Sequence, residues 1–153
     1  MLPETIELEV VTPSRHVLSE TVQSLEMPGK DGYLGILPGH APLITELGVG
    51  VLTYQKGAEK RCLTVMQGYS EVLPDRVIIL AEISERAEEI DVARAHRALE
   101  RVQGELAKAG SPDVDWTVAS AALTRALTRV QAASKGGGGV SSSGVEDVHH
   151  SAP

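Results

Sequence analysis

Apolar and polar positions change their period once along this chain. At the start, Ile6, Leu8 and Val10 alternate with Glu7, Glu9 and Val11, the period-two pattern of a half-buried strand. Val77-Ile78-Ile79-Leu80 is a continuous apolar run, which predicts a strand covered on both faces. Turn-forming groups punctuate the segments between: Pro13-Ser14, Pro28-Gly29, Pro38-Gly39, Gly48 to Gly50, Lys56-Gly57, Gln67-Gly68 and Pro74-Asp75. Gly and Pro supply the dihedral angles that turns demand. Short strands at such spacing predict an all-β sandwich. Residues 1–84 sustain no helical period long enough to supply crossover helices.

After residue 90 the period becomes helical. Val92, Ala95, Leu99, Val102, Leu106 and Ala109 step alternately by three and four positions. Asp91 is the predicted N-cap and Gly110 the predicted C′ residue. Trp116, Ala119, Leu123, Ala126, Val130 and Ala133 repeat the same steps. Ser111-Pro112-Asp113 connects the stripes, with Pro112 suited to a first helical turn. Two such stripes joined by a short connection predict an antiparallel helical hairpin. The fold class is thus an all-β sandwich over residues 1–85 followed by an α-helical hairpin over 86–135, β and α segregated. The Gly/Ser-rich tail, 136–153, has the composition of a disordered segment.

Charge and composition narrow the function. The formal charge is −7: residues 1–90 hold 14 acids against 7 bases, and residues 91–153 hold 7 of each. A nucleic-acid binder normally carries the opposite sign. Aromatics are 3% with no Phe, which leaves little for stacking bases. One cysteine, Cys62, excludes an intrachain disulfide and a cysteine zinc cage. No apolar run approaches the ~20 residues of a membrane helix. Met1 to Glu9 already carries three acids and does not read as a signal peptide. The expected location is the cytoplasm or the cytoplasmic side of a membrane.

Catalytic chemistry is hard to find. Gly29, Gly32 and Gly35 recur every third residue, which is neither a dinucleotide fingerprint nor a phosphate loop. Cys62 has no local histidine partner and reads as a small buried apolar residue. His40, in Pro-Gly-His-Ala-Pro, has no paired acid or nucleophile nearby. His149-His150 alone makes no metal site. Bottom-up, the chain reads as a binding or assembly module with a helical appendage.

One segment is specific. Gly32-Tyr33-Leu34-Gly35-Ile36-Leu37-Pro38-Gly39-His40-Ala41-Pro42-Leu43 resembles the hallmark segment of the epsilon subunit of bacterial F-type ATP synthases. Val11-Thr12-Pro13, Met27-Pro28-Gly29 and Gln67-Gly68-Tyr69 resemble the same family, as does the order of sandwich and hairpin. The resemblance implies a non-catalytic rotor subunit on the central stalk, peripheral on the cytoplasmic side of the inner (plasma) membrane. The sandwich would bind the gamma subunit and the c-ring, with Gly32, Gly35, Pro38, Gly39 and His40 as contact surface. The complex couples proton flow to ATP synthesis. No cofactor, metal or nucleic acid is implied, and the membrane is reached only through the complex.

The hairpin has features of a switch. Its stripes are rich in alanine, and small side chains gain little from burial. Residues 116–135 contain Arg125, Arg129 and Lys135 and no acid. Arg125 and Arg129, four apart, share a helix face. The resemblance implies that an extended hairpin meets the alpha and beta subunits through these two arginines and holds back hydrolysis. Ile90-Asp91-Val92-Ala93-Arg94-Ala95 matches the family's nucleotide-binding pattern, which makes ATP an expected regulatory ligand. Ile90, Asp91, Arg94 and Ala95 match by position; Glu85, Arg101, Arg125 and Arg129 are spaced to complete the site. Asp91 is equally a natural N-cap. Alternatives are a nucleotide-sensing module whose hairpin refolds on ATP, and a free-standing adaptor.

Overall fold

The computed structural model describes residues 2–108, 110, 112 and 114–136. Seven strands come first: β1 (Ile6–Val11), β2 (His16–Val22), β3 (Ser24–Gly29), β4 (Gly32–Ile36), β5 (Leu43–Lys56), β6 (Glu59–Val72) and β7 (Arg76–Ile83). A 3-10 turn at Ala87–Glu89 leads into α1 (Val92–Ala107) and α2 (Trp116–Gly136). The strands are hydrogen-bonded in the order β2-β1-β7-β6-β5-β3-β4. Among these described strands, only β1 and β7 run parallel.

The sheet folds over on itself into a sandwich with one shared core. Ile6, Leu8 and Val10 of β1 point into it, as their alternation predicts, beside Leu25, Met27 and Ile36 from the far end of the sheet. Lys56 at the end of β5 meets Glu20 of β2 at 2.6 Å. The Gly57 N–H donates to Gln23 Oε1 at 2.8 Å. These contacts fix the closure.

Two predicted turns lie instead inside the 14-residue strands β5 and β6. Gln67 (φ 61°) and Gly68 (φ 124°) take left-handed backbone within β6. A Cβ on Gly68 would collide with the Leu80 carbonyl oxygen. The consequence is a change of parity. Leu47 and Leu52, five apart on β5, both face the core, as do Val65 and Val72 on β6. Strict alternation would put the members of each pair on opposite faces. The glycines at 48, 50 and 68 therefore turn the corner of the sandwich without ending the strands. Pro28-Gly29 is likewise the end of β3, and the tight turn is Lys30-Asp31, between the paired Gly29 and Gly32.

The run 77–80 is not covered on both faces. Val77 and Ile79 are buried, but Leu80 is 55% exposed.

In the hairpin, the Asp91 carboxylate caps α1 by accepting the Arg94 N–H at 3.0 Å. Gly110 has the expected positive φ, 94°; the C-cap of α1 is Lys108, one position earlier than a C′ residue at Gly110 predicts. The cap of α2 is Asp115, which accepts from the Thr117 and Val118 N–H groups at 3.0 and 3.3 Å. Pro112 thus precedes the helix. Ala95, Val102, Ala119 and Ala126 are buried in the stripes, while Val92 and Trp116 are about half exposed (49% and 48%). Ala109 and the tail beyond Gly136, with His149-His150, lie outside the described residues. Among the described residues no helix is long and apolar enough to cross a membrane.

Candidate functional site

The site is the seam between sandwich and hairpin. After Ile83 the chain stays against β6. Ser84 Oγ donates to the Thr64 carbonyl at 2.7 Å. The Thr64 N–H donates to the Glu85 carbonyl at 2.8 Å, and the Glu85 N–H to Thr64 Oγ1 at 3.0 Å. Arg86 bridges to Leu63.

Glu89 ends this linker under two guanidinium groups. Arg15, in the β1–β2 turn, donates to its two oxygens at 2.9 and 2.6 Å. Arg86 donates to it through Nε, Nη2 and its backbone N–H at 3.0, 2.7 and 3.2 Å. The hydrogen bonds from Arg15, helped by those from Arg86, hold the Glu89 carboxyl down at about 2 against an ordinary 4.5.

Beneath the hairpin lies a second apolar cluster, separate from the sandwich core. It holds Val51, Cys62, Ala87, Ile90, Ala95 and Ala132. Cys62 is buried, as expected, and its Sγ–H donates to the Ala132 carbonyl at 3.3 Å. Burial pushes its thiol pKa up. Thr128 and Ala132 give α2 a second buried face, which the heptad reading missed because it followed only the helix–helix stripe.

Among the residues expected at a nucleotide site, Glu85 and Arg129 meet directly, with Arg129 Nε donating to Glu85 Oε1 at 2.9 Å. Ile90 and Ala95 are buried in the seam. Asp91 is the N-cap. Arg94 and Arg101 are exposed, and at seven residues apart they lie on one side of α1. Arg125 is half-buried, one turn before Arg129. A separate groove of about 1150 Å³ is lined by Leu25, Ile36, Tyr54, Arg61, Cys62 and Lys135, among others, and by none of these eight residues.

The expected partner surface lies on the sandwich. Gly32 and Gly35 are exposed on the edge strand β4. Pro38, Gly39 and His40 form a tied loop: the Gly39 N–H donates to the Pro74 carbonyl at 2.7 Å and the His40 N–H to the Leu37 carbonyl at 3.1 Å. His40 Nδ1 bonds the Ala41 carbonyl at 2.7 Å. Tyr33 and Leu37 stand exposed beside them. The residue-by-residue reading missed a second apolar surface. Val11, Leu80, Tyr69 and Glu46 lie in one cross-strand row over β1, β7, β6 and β5. Leu80 and Tyr69 are more than half exposed, as is Ile44 nearby on β5. The apolar run at 77–80 was the available signal.

The beta-sandwich domain profile of the ATP synthase Delta/Epsilon chain family matches residues 5–87, and its long alpha-helix domain profile matches residues 88–134. A protein named ATP synthase epsilon chain from Solibacter usitatus is 50% identical over 134 residues, 88% of this chain and 99% of that one. The chain belongs to the ATP synthase epsilon chain family. Another family member, from Syntrophobacter fumaroxidans, is 47% identical over the same shares of both chains. Among solved structures, a chain in the cryo-EM structure of the Euglena gracilis mitochondrial ATP synthase (OSCP/F1/c-ring) matches with TM-score 0.71 and 27% identity, over 87% of this epsilon-family chain and 83% of that one. A chain of the Tetrahymena thermophila mitochondrial ATP synthase central stalk and c-ring shares the fold, at TM-score 0.50 and 16% identity over 85% and 94%.

Proposed function

We propose that this chain is the non-catalytic rotor subunit that joins gamma to the c-ring of a proton-translocating F-type ATP synthase, and that its hairpin regulates hydrolysis. The sandwich surface around Gly32, Gly35 and Pro38 to His40 would meet those partners, which hold the subunit peripherally on the cytoplasmic side of the inner membrane. Released, the hairpin would reach the alpha and beta subunits through Arg125 and Arg129. The carrying observation is the seam: helices lie on the sheet mainly through small side chains and one partly buried ion pair, Glu85–Arg129. Such a contact suits reversible docking.

The test is ATP hydrolysis by the catalytic head with gamma, supplied with the full chain or with a chain cut after Ile90. Both are expected to bind, and only the full chain to inhibit. Equal hydrolysis rates would refute the regulatory reading. A second reading, ATP as regulatory ligand, rests on Glu85 and Arg129 meeting at the linker, where phosphate would compete for the guanidinium. Titrating the isolated full chain with ATP is expected to slow hairpin hydrogen exchange; an unchanged rate removes the ligand role.

A further inference from the structure

The linker between sandwich and hairpin is tied far more firmly on one side than on the other. Toward the sandwich, residues 84–86 continue the β6 ladder through Thr64 and Leu63. Arg15 then reaches across 74 positions of sequence to grip Glu89 with both terminal nitrogens, and its Nη2 also lies 3.4 Å from the Ser84 carbonyl. The grip is preorganised. The β1–β2 turn that carries Arg15 is closed by Thr12, whose N–H donates to the Arg15 carbonyl at 2.9 Å and whose Oγ1 accepts the Arg15 N–H at 3.3 Å. A bidentate guanidinium–carboxylate pair is among the stronger charged hydrogen-bonded contacts. Arg86 grips the same carboxylate from the linker itself.

Toward the hairpin the contacts are lighter. They are mainly the small side chains of Ala95 and Ala132, with Val130 and Ala133 packed at the margin, the Cys62 Sγ–H on a carbonyl, and the single-point Glu85–Arg129 pair. Between the two regimes, Ile90 and Asp91 are extended, with ψ 124° and 100°. Asp91 caps α1 through Arg94 N, so the cap moves with the helix.

We propose that Arg15, Glu89 and Arg86 form a fixed anchor, and that when the hairpin leaves the sheet the chain pivots at Ile90-Asp91 while residues 84–89 stay on the sandwich. The proposal rests on the hairpin release argued above and adds where the hinge sits. The anchor controls reach: six freed residues would lengthen the tether by up to ~20 Å at 3.3–3.6 Å per residue. It also separates Glu85, which stays, from Arg129, which leaves. Arg15 is thus a positioning residue for the hairpin. Because the Glu89 carboxyl sits at about 2 against an ordinary 4.5, the anchor stays charged well into the acid range.

Residue-resolved hydrogen exchange on the full chain tests this. In the wild type, amides of α1 and α2 are expected to exchange together, about ten-fold or more faster than those of Thr64 and Glu85, as separate cooperative units do. Arg15→Gln is expected to bring Thr64, Glu85 and Glu89 up to the hairpin rate. The conservative variant Arg15→Lys, which keeps the charge but not the bidentate fork, is expected to retain part of the difference. Amides of β1 and β7 report that each variant is folded. If residues 84–89 exchange with the hairpin in the wild type, the hinge lies earlier and the anchor is wrong, though release stands. If α1 and α2 exchange no faster than β1 and β7, release itself fails and takes the proposal with it.

Discussion

Ala132→Leu is the sharpest probe of the docking seam. Ala132 is fully buried, shares a cluster with Val51, Ala87 and Ala95, and its carbonyl accepts the Cys62 thiol. Leucine adds three carbons to a closed contact, and overpacking of this kind costs ~1–3 kcal/mol. The cost falls almost wholly on the docked state, because leucine is nearly as good a helix former as alanine. A shift of that size multiplies the population of the released state by roughly 5 to 150. Cys62 reads it out. It is the chain's one cysteine, it is 5% exposed, and α2 covers it. When closing is fast, modification of a transiently opened site tracks the opening equilibrium. The maleimide labelling rate of Ala132→Leu is therefore expected to rise by that factor toward the rate of a chain cut after Ile90. Amide exchange in β1 and β7 should stay at wild-type values. An unchanged labelling rate would refute the seam, and a rise matched by faster β1 and β7 exchange would mean global unfolding.

Leu99→Ala or Leu123→Ala, at half-buried stripe positions, is expected to loosen the hairpin by ~2 kcal/mol, the low end for a Leu→Ala change; hydrogen exchange over 92–133 checks it. Arg125→Ala with Arg129→Ala is expected to relieve inhibition of the catalytic head, less so at high salt because screening already weakens the wild-type contact; inhibition equal to wild type at low salt would leave the arginines as a solvated face. Glu85→Gln is expected to do the opposite, strengthening inhibition up to about five-fold, since it weakens a docked pair worth at most ~1 kcal/mol while sparing Arg129. Acid should loosen the anchor. Glu89 has its pKa lowered on folding, so its contribution is complete above the ordinary 4.5 and is lost as pH falls toward about 2; exchange at Glu85 and Glu89 should rise in that window, and Glu89→Gln should abolish the dependence.

Legibility in the sequence followed the range of the interactions. Local periods placed β1 and both helices, and Asp91 announced a cap that forms. The corner at Gly48 to Gly50 and Gln67-Gly68 was misread as two turns, because a change of side-chain parity within a paired strand has the same local composition as a turn. Only the pairing of β5 with β6 through the corner, in constant register from Leu43↔Val72 to Lys56↔Glu59, separates the two cases. Thr128 and Ala132 were missed for a related reason. A helix that packs on two sides buries positions outside one heptad stripe, and small residues there give a weak periodic signal. The Arg15–Glu89 contact joins residues 74 apart, and no local pattern specifies such a pair. The motif around Asp91 named residues without placing them: Glu85 and Arg129 touch, while Arg94 and Arg101 stand exposed.

The two outer surfaces of the sandwich differ in a way that fits two kinds of cover. Over Val51 and Cys62 the chain supplies its own cover: Ala87, Ile90, Ala95 and Ala132, with Val130 and Ala133 packed beside them. Each methyl buried there contributes on the order of 0.8 kcal/mol, and the helices bring mostly small side chains to this face. Around Leu80, Tyr69 and Ile44 the exposed side chains are large, and burying each is worth roughly 1.5–3 kcal/mol. A surface of that kind suits a partner that stays, whereas the alanine seam suits one that leaves. The rotor role proposed above, with lasting partners and a hairpin that docks and releases, would need both, and would need them on separate faces. Cross-strand register puts Leu80 and Tyr69 in the row of β1, β7 and β6 that pairs beyond the Gly68 corner. Val51 and Cys62 lie on the near side of that corner. The parity change at Gln67-Gly68 is thus what allows one pair of long strands to serve both surfaces, and a Gly68→Ala substitution, blocked by the Leu80 carbonyl, would disturb both together.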